Sequence, residues 1–266
     1  MLLDFNRLGW MRGLLVAIAI LVGLFLLLPI ALIVALSFGS SRWLQFPPPA
    51  WTTKWYAQLF ADPDWLAAFF TSLEIALTVM VLATIIGLLA SFGLTRGRFP
   101  GREFLRALFL TPMVLPVVVL AVALYALFLR IHLNGAFLGF VVAHLVVALP
   151  FAIISISNSL ERFDVTIEEA AILCGAGPIE AKLRVTIPAI SLGLFGAAIF
   201  SFLASWDEVV IAIFMASPDL QTLPVRIFST LRQDLSPVIA AVSSLLVGFT
   251  AVLMLIAAYF RREKSA

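Results

Sequence analysis

The chain has 266 residues, of which 63% are hydrophobic and only 12% are charged, and its mean hydropathy is +1.13. Soluble domains carry about 25% charged residues, so this composition excludes a single soluble domain. The net charge of +2 arises from 17 basic and 15 acidic residues scattered along the chain, which excludes the concentrated basic face of a nucleic-acid-binding protein. A single cysteine, Cys174, excludes an internal disulfide and a cysteine-based metal cluster.

Six stretches of the chain contain no Asp, Glu, Lys or Arg. Each is long enough to cross the hydrocarbon core as a helix, which takes about 20 residues. The stretches are 13–41, 75–95, 107–129, 133–160, 185–206 and 235–260. The sequence therefore predicts an all-α polytopic membrane protein with six transmembrane helices. The first stretch has 29 residues, whereas the apolar region of a signal peptide has about 7 to 15, so we expect it to remain as a membrane span.

Lys and Arg accumulate on one side of this predicted topology. Cytoplasmic segments retain the positive charge during insertion. One side has 12 basic residues and the other has five, Arg42, Lys54, Arg130, Arg226 and Arg232. The 12 are Arg7, Arg12, Arg96, Arg98, Arg102, Arg106, Arg162, Lys182, Arg184, Arg261, Arg262 and Lys264. The count predicts that both termini are cytoplasmic, and it explains the arginines between the second and third spans as a topology signal.

The inner connection 161–188 is amphipathic, unlike the other short loops. Asp164 or Thr166 can cap a helix that begins there, and two glutamates in its first turns suit the positive end of the helix dipole. Gly175 can end that helix in a left-handed conformation. Pro178 can open a second short helix at its first position. The pattern predicts a helix, a sharp turn and a second helix outside the bilayer on the inner side.

A motif within this connection is shared with a known family. Glu169-Ala170-Ala171, then Gly175, then Val185-Thr186-Ile187-Pro188 resembles the EAA loop of ATP-binding-cassette importer permeases. Lys182 stands where that family usually has an aromatic residue, and Ile187 replaces the usual Leu. The resemblance implies a cytoplasmic coupling-helix loop that transmits force from an ATPase and performs no bond chemistry. The implied coupling residues are Glu169, Ala170, Ala171, Gly175 and Pro188.

Further matches make the chain similar to the permeases of spermidine/putrescine importers. They include Trp55-Tyr56, Ser72-Leu73, Ser205-Trp206-Asp207-Glu208 and Leu223-Pro224. The resemblance implies a bacterial inner-membrane permease that imports a polyamine by alternating access. Residues 1–70 would form the first transmembrane helix and a periplasmic segment, and residues 71–266 would form the permease core.

The same resemblance implies which partners and cofactors to expect. The partners are an ATP-binding subunit dimer, a distinct second permease subunit, a periplasmic substrate-binding protein and the lipid bilayer, with no nucleic acid. The chain has no G-x-x-x-x-G-K-[ST] phosphate loop. We therefore expect ATP and Mg²⁺ to bind to the partner ATPase, and we expect no cofactor, metal ligand or catalytic residue on this chain.

Two acidic residues, Asp207 and Glu208, follow the fifth apolar stretch. An ionised carboxylate near the bilayer centre costs about 2.5 to 3.5 kcal/mol. A continuous helix from the inner boundary places Asp207 in the outer half of the membrane. One hypothesis is that Asp207, Glu208 and the cation-binding ring of Trp206 line the passage for a cationic solute such as a polyamine. The alternative is that the carboxylates pair with Arg226 or Arg232, or reach the outer interface.

Other candidates allow two interpretations each. Glu74, at the outer end of the second span, either extends to the interface or adds an acidic group to the pathway. His144 in the fourth span is expected to be an interhelical hydrogen-bond partner, with a ligand or proton-relay role as the alternative. Pro112, Pro116 and Pro150 can kink the third and fourth spans, although neighbouring helices also tolerate membrane prolines.

Two alternative functions compete with polyamine import. The first is the same class of importer acting on another small solute, such as an amino-acid-like amine, a phosphonate or a metal ion. The second is an intramembrane protease that uses Glu168 and Glu169 with His144. The expected Arg four residues after the glutamate pair is absent, the chain has only two histidines, and the pair falls in a predicted aqueous loop. These features disfavour the protease.

Overall fold

The computed structural model describes residues 10–233 and 236–263, with side chains described for 11–233 and 236–252. Every regular element in these residues is helical, and the only strand-like pairings there are isolated bridges between Gly39 and Trp51 and between Ser217 and Leu220. The predicted all-α class is confirmed. Arg7, Leu235 and Lys264 lie outside the described residues.

The helices follow one another through the chain with short connections. They are α1 (Trp10–Ser37), α2 (Lys54–Ala61), α3 (Pro63–Arg96), α4 (Arg102–Val114), α5 (Val117–Arg130), α6 (Phe137–Arg162), α7 (Val165–Leu173), α8 (Pro178–Ala181), a π-helical turn (Lys182–Thr186), α9 (Ile187–Ala189), α10 (Ser191–Trp206), α11 (Val210–Met215), α12 (Leu223–Gln233) and α13 (Pro237–Glu263).

Three of these helices are long and apolar enough to cross a membrane on their own, namely Met11–Ser37, Pro63–Arg96 and Phe137–Arg162. Two bent pairs raise the number to five if each counts as one span. Arg102–Val114 and Val117–Arg130 meet at 106°, and Pro178–Ala189 and Ser191–Trp206 meet at 72°. The apolar part of α13 within the described side chains, Pro237–Val252, is shorter.

One of the prolines singled out in the sequence coincides with a break. Leu115, which precedes Pro116, has an extended backbone with φ −72° and ψ 140°, as expected because the ring of a proline disfavours a helical residue before it. Pro112 and Pro150 lie inside α4 and α6, which continue through them. The fifth apolar stretch is also not one straight helix, because it bends at Ile190.

Two compact units divide the chain, residues 1–65 with 229–266 and residues 66–228. In the first unit, α13 contacts α1 and α2. Trp55 Nε1 donates a 2.6 Å hydrogen bond to the carbonyl of Gly39, and the hydroxyls of Ser37 and Tyr56 are 2.6 Å apart. These bonds fix the aromatic segment that follows α1.

In the second unit, α6 lies at the centre of the core, where Phe140, Ile156 and Leu160 are buried. The helix α10 packs closely against it. Gly193 permits this approach, because a Cβ at that position would lie 2.6 Å from Cβ of Ser159. Ser155 Oγ also donates a 2.9 Å hydrogen bond to the carbonyl of Gly193. Small residues and interhelical hydrogen bonds are the usual means of joining helices in membranes.

Gly193→Val should push α10 away from α6. Overpacking of this kind costs about 1 to 3 kcal/mol, so we expect a lower midpoint of thermal unfolding in detergent micelles. Gly93→Val on α3 is the matched control, because a Cβ there meets no atom within 4 Å. Equal midpoints for the two variants would contradict the close packing.

Candidate functional site

The inner connection has the local geometry that its sequence predicts. Asp164, rather than Thr166, caps α7, and its carboxylate accepts a 3.0 Å hydrogen bond from the backbone N–H of Thr166. That bond lowers the pKa of Asp164. Gly175 has a φ of +100°, which ends the helix in the left-handed region, and Pro178 is the first residue of α8. The predicted helix, turn and second helix are confirmed.

The five proposed coupling residues lie on the surface of this segment. Glu169, Ala170, Gly175 and Pro188 are exposed, and Ala171 is half-buried. Large apolar side chains beside them are also exposed, with Leu173 at 89%, Ile179 at 75% and Leu183 at 58%. An exposed apolar surface around small residues is typical of a contact site for another protein.

Of the two adjacent glutamates, Glu169 belongs to the motif and is exposed, whereas Glu168 is buried. Its side chain joins α7 to the π-helical turn: Thr186 Oγ1 donates a 2.6 Å hydrogen bond to Oε2, and Lys182 Nζ lies 3.1 Å from Oε1. Burial raises the pKa of Glu168, but these two partners and the charge of Arg96 outweigh it, so the pKa lies below its ordinary value. Glu168 is therefore held as a carboxylate.

The motif in the sequence gives no indication of this role for Glu168. The available signal was Lys182, which replaces the aromatic residue usual in the family and stands 14 residues after Glu168. A charge at that position has a partner only if the chain folds back on itself, and the turn at Gly175 makes the chain do so.

Arg96, which the sequence explains as a topology signal, also makes hydrogen bonds to the end of α6. It ends α3, and its guanidinium Nη2 donates to the carbonyls of Leu160 at 3.2 Å and Phe163 at 3.4 Å. These carbonyls lie at the end of α6, where a helix leaves acceptors unsatisfied. Arg106 also contacts Glu161, with 3.5 Å between nitrogen and oxygen. The arginines after α3 thus hold the junction between α6 and α7.

The second candidate region is a helix break. The sequence placed Asp207 and Glu208 along a continuous helix, but α10 ends at Trp206 and α11 begins at Val210. The Asp207 carboxylate is exposed and makes no hydrogen bond or ion pair with any residue that the structure describes. Glu208 is half-buried, and its Oε1 accepts a 2.8 Å hydrogen bond from the N–H of Ile211. The two carboxylates therefore have different environments.

Trp206 is the last residue of α10 and directly precedes this break. Its side chain is only 5% exposed. The ring of Phe202 stacks on it at 5.6 Å between centroids, and the ring of Phe69 meets it edge to face at 5.7 Å. In this conformation the indole packs within an aromatic cluster rather than opening a face to solvent.

Two hydrogen bonds to other parts of the second unit fix the chain after the break. The N–H of Leu223 donates a 2.7 Å hydrogen bond to Ser72 Oγ on α3, which brings together two of the motifs shared with polyamine permeases. The N–H of Gly135 donates to the carbonyl of Met215 at 3.1 Å. The short helix α11 is thereby held against the turn that precedes α6.

The remaining candidates have simple placements. His144 on α6 is buried, and its Nδ1 lies 2.9 Å from Ser205 Oγ on α10, which confirms the interhelical hydrogen bond expected from the sequence. Glu74 is exposed on α3. Among the described residues, no group of three or more His, Cys, Asp or Glu side chains is placed to hold a metal ion.

Comparisons with known proteins give a consistent result. Residues 83–265 match a family described as a binding-protein-dependent transport system inner membrane component. The spermidine/putrescine transport system permease protein PotC of Escherichia coli is 30% identical over 245 residues, 91% of each chain. The putrescine transport system permease protein PotI of Escherichia coli is 33% identical over 249 residues, 90% of this chain and 88% of the relative.

A relative of different solute chemistry is similar at nearly the same level. The sulfoquinovosyl glycerol transport system permease protein SmoH of Agrobacterium fabrum is 29% identical over 219 residues, 82% of this chain and 77% of the relative. Among solved structures, a bacterial ABC transporter for import of the acidic polysaccharide alginate has a chain that superposes with a TM-score of 0.70 at 16% identity, covering 97% of both chains. Such a likeness concerns the fold alone.

Ser72→Ala should leave the buried N–H of Leu223 without its acceptor, which costs about 1 to 3 kcal/mol. We expect a lower thermal unfolding midpoint in detergent and faster hydrogen exchange at the Leu223 amide. Thr78→Val is the matched control, because the hydroxyl of Thr78 bonds to the carbonyl of Glu74 within its own helix. Unchanged exchange at Leu223 would show that the bond is dispensable.

Proposed function

The chain belongs to the family of binding-protein-dependent transport system inner membrane components, and from this premise we propose that it imports a small cationic solute, a polyamine such as spermidine or putrescine, by alternating access. As a member of that family it is a multi-pass inner-membrane transport subunit and not an enzyme. The protease alternative is thereby excluded.

The observation that supports a cationic solute is the exposed carboxylate of Asp207 at the break between α10 and α11. A carboxylate without an internal partner attracts an amine in a site with little water. The two relatives that share 30% and 33% of their residues with this chain are named for polyamines. Glu208 and Trp206 hold Asp207 in position. Glu208 fixes the start of α11, and Trp206 anchors the end of α10. Glu74 adds a second exposed acidic group.

The competing solute class is represented by the relative named for sulfoquinovosyl glycerol, which is 29% identical. Polyamines and that compound differ in charge. The same fold serves both classes in this family, so the charge of the pathway, rather than the fold, is the feature that distinguishes them. An amino-acid-like amine, a phosphonate or a metal ion remains the alternative cargo within the same importer class.

The proposed complex contains this chain, a distinct second permease subunit, a dimer of ATP-binding subunits and a periplasmic substrate-binding protein. In this proposal the chain crosses the membrane six times, with both termini and the segment α7–α9 in the cytoplasm. Arg96, Arg106, Lys182 and Arg184, which surround that segment, fit the positive-inside rule. ATP and Mg²⁺ bind to the partner ATPase.

The segment α7–α9 acts as the coupling loop in this proposal. Glu169, Ala170, Ala171, Gly175 and Pro188 form or border its contact surface. The exposed apolar side chains of Leu173 and Ile179 suit a groove on the ATPase. Closure of the ATPase dimer displaces α7, and α6 and α10 move with it.

Asp207→Asn should weaken transport of a cationic solute without lowering the amount of inserted protein. Loss of one hydrogen bond to a charged group, worth about 1.5 to 3 kcal/mol, corresponds to roughly tenfold or more slower uptake. The measurement is uptake of labelled spermidine and putrescine by the complete transporter in proteoliposomes.

The matched control for this measurement is Asp219→Asn, since Asp219 is an exposed aspartate in the turn after α11. Wild-type uptake by Asp207→Asn would remove the carboxylate from the pathway. Transport of a sulfonated sugar glycoside in place of polyamines by the wild-type complex would favour the competing solute.

Ala171→Trp should place a large side chain on the proposed ATPase contact. We expect ATP hydrolysis to continue while uptake per ATP falls by at least about fivefold, the lower end of common coupling effects. Ala171→Ser, which keeps a small side chain, is the control. If no ATPase subunit co-purifies with the wild-type chain, the importer assignment of this loop fails.

A further inference from the structure

Glu168 joins two parts of the inner segment, α7 and the π-helical turn, which pack against each other. Glu168 belongs to α7 and its side chain is 11% exposed, whereas both of its partners belong to the π-helical turn that precedes α9. Thr186 is completely buried and donates to Oε2, and Lys182 reaches Oε1. Each carboxylate oxygen is therefore engaged by a different residue of the same turn.

The spacing of the two partners lets both reach one carboxylate. Lys182 and Thr186 are four residues apart in the π-helical turn. Residues at this spacing lie on nearly the same side of a helix. Short π-helical turns are rare and are frequent at functional sites.

Removal of either partner leaves one oxygen of this largely buried carboxylate without its bond, which is destabilising. Separation of α7 from the turn is therefore more costly than bending of an ordinary surface loop. On the other side of α7, Arg96 ties the end of α6 to α3 through the carbonyls of Leu160 and Phe163. The segment is thus held at both ends by charged side chains.

We propose that Glu168 is a positioning residue of the coupling loop, which locks α7 to the π-helical turn so that a displacement of α7 moves α10 as one body. This inference rests on the proposed function, because it assumes that an ATPase displaces α7. The exposed neighbour Glu169 makes the contact with the partner, and the buried Glu168 transmits it. The lock consists of Glu168, Lys182 and Thr186.

The first test compares coupling in complete transporters that contain Glu168→Gln or the wild-type chain. In proteoliposomes, Glu168→Gln should keep ATP hydrolysis but lose at least about fivefold in spermidine uptake per ATP. Glu103→Gln is the control, since Glu103 is an exposed glutamate that pairs with Arg102 at the start of α4, outside the coupling loop. Wild-type uptake per ATP by Glu168→Gln would overturn the lock.

An exchange of the two charges of the Glu168–Lys182 pair tests whether the ion pair itself is required, or only a glutamate at position 168. The double variant Glu168→Lys with Lys182→Glu restores opposite charges across the same gap and should recover a large part of the coupling, whereas Glu168→Lys alone should not. If Glu168→Gln does not assemble with the ATPase, Thr186→Val decides, because it removes one hydrogen bond and keeps the ion pair. It should lower uptake per ATP, and unchanged coupling would contradict the proposal.

A second measurement needs no transported solute. In a chain with Cys174→Ala, spin labels at Thr166→Cys on α7 and Leu192→Cys on α10 report the distance between the two helices in the assembled complex. The lock predicts one narrow distance distribution that is the same without nucleotide and with ATP and vanadate, and a broad one in Glu168→Gln. A shift of the wild-type distance with nucleotide would overturn the lock, whereas absence of a bound ATPase would contradict the proposed function.

Discussion

A backbone N–H that leaves a helix within or near a bilayer must find another acceptor, because lipid offers none. The segment between α10 and α12 satisfies this constraint with a side chain of its own and one of α3, and it supplies an acceptor to the turn before α6. Glu208 accepts the N–H of Ile211, Ser72 on α3 accepts the N–H of Leu223, and the carbonyl of Met215 accepts the N–H of Gly135. These bonds allow the fifth apolar stretch to stop at a defined residue.

Two carboxylates of the second unit, Glu168 and Asp207, lie in different surroundings, which suit them to different roles. Glu168 is buried, and both of its oxygens are engaged, a state in which a charge is stable only while its partners stay in place. Asp207 is exposed and has no partner among the residues described. The first carboxylate is suited to holding structure, and the second to meeting a ligand. A count of acidic residues in the sequence does not distinguish them.

Local signals in the sequence were sufficient for part of this structure. The all-α class, the Asp164 cap, the left-handed turn at Gly175 and the helix start at Pro178 depend on neighbouring residues, and the structure has all four. Other features depend on residues distant in the chain. Ser72 and Leu223 are 151 positions apart, and burial of Glu168 rather than Glu169 depends on how α7 lies against the π-helical turn. No local pattern specifies such pairs, so the sequence predicted the helix, turn and second helix of residues 161–188 but not the contacts of Glu168 within them.

The helix α10 lies between the segment α7–α9 and the break that contains Asp207. Just before its N-terminal end, Thr186 in the π-helical turn bonds to Glu168; in its first turn, the carbonyl of Gly193 accepts from Ser155; near its C-terminal end, Ser205 bonds to His144. The last two contacts tie it to α6 over most of its length. A helix held to its neighbour by polar bonds at both ends cannot slide or rotate alone without leaving buried polar groups unpaired. In the proposed transport cycle, a displacement of the segment α7–α9 therefore reaches Trp206 and Asp207 as a movement of the α6–α10 pair.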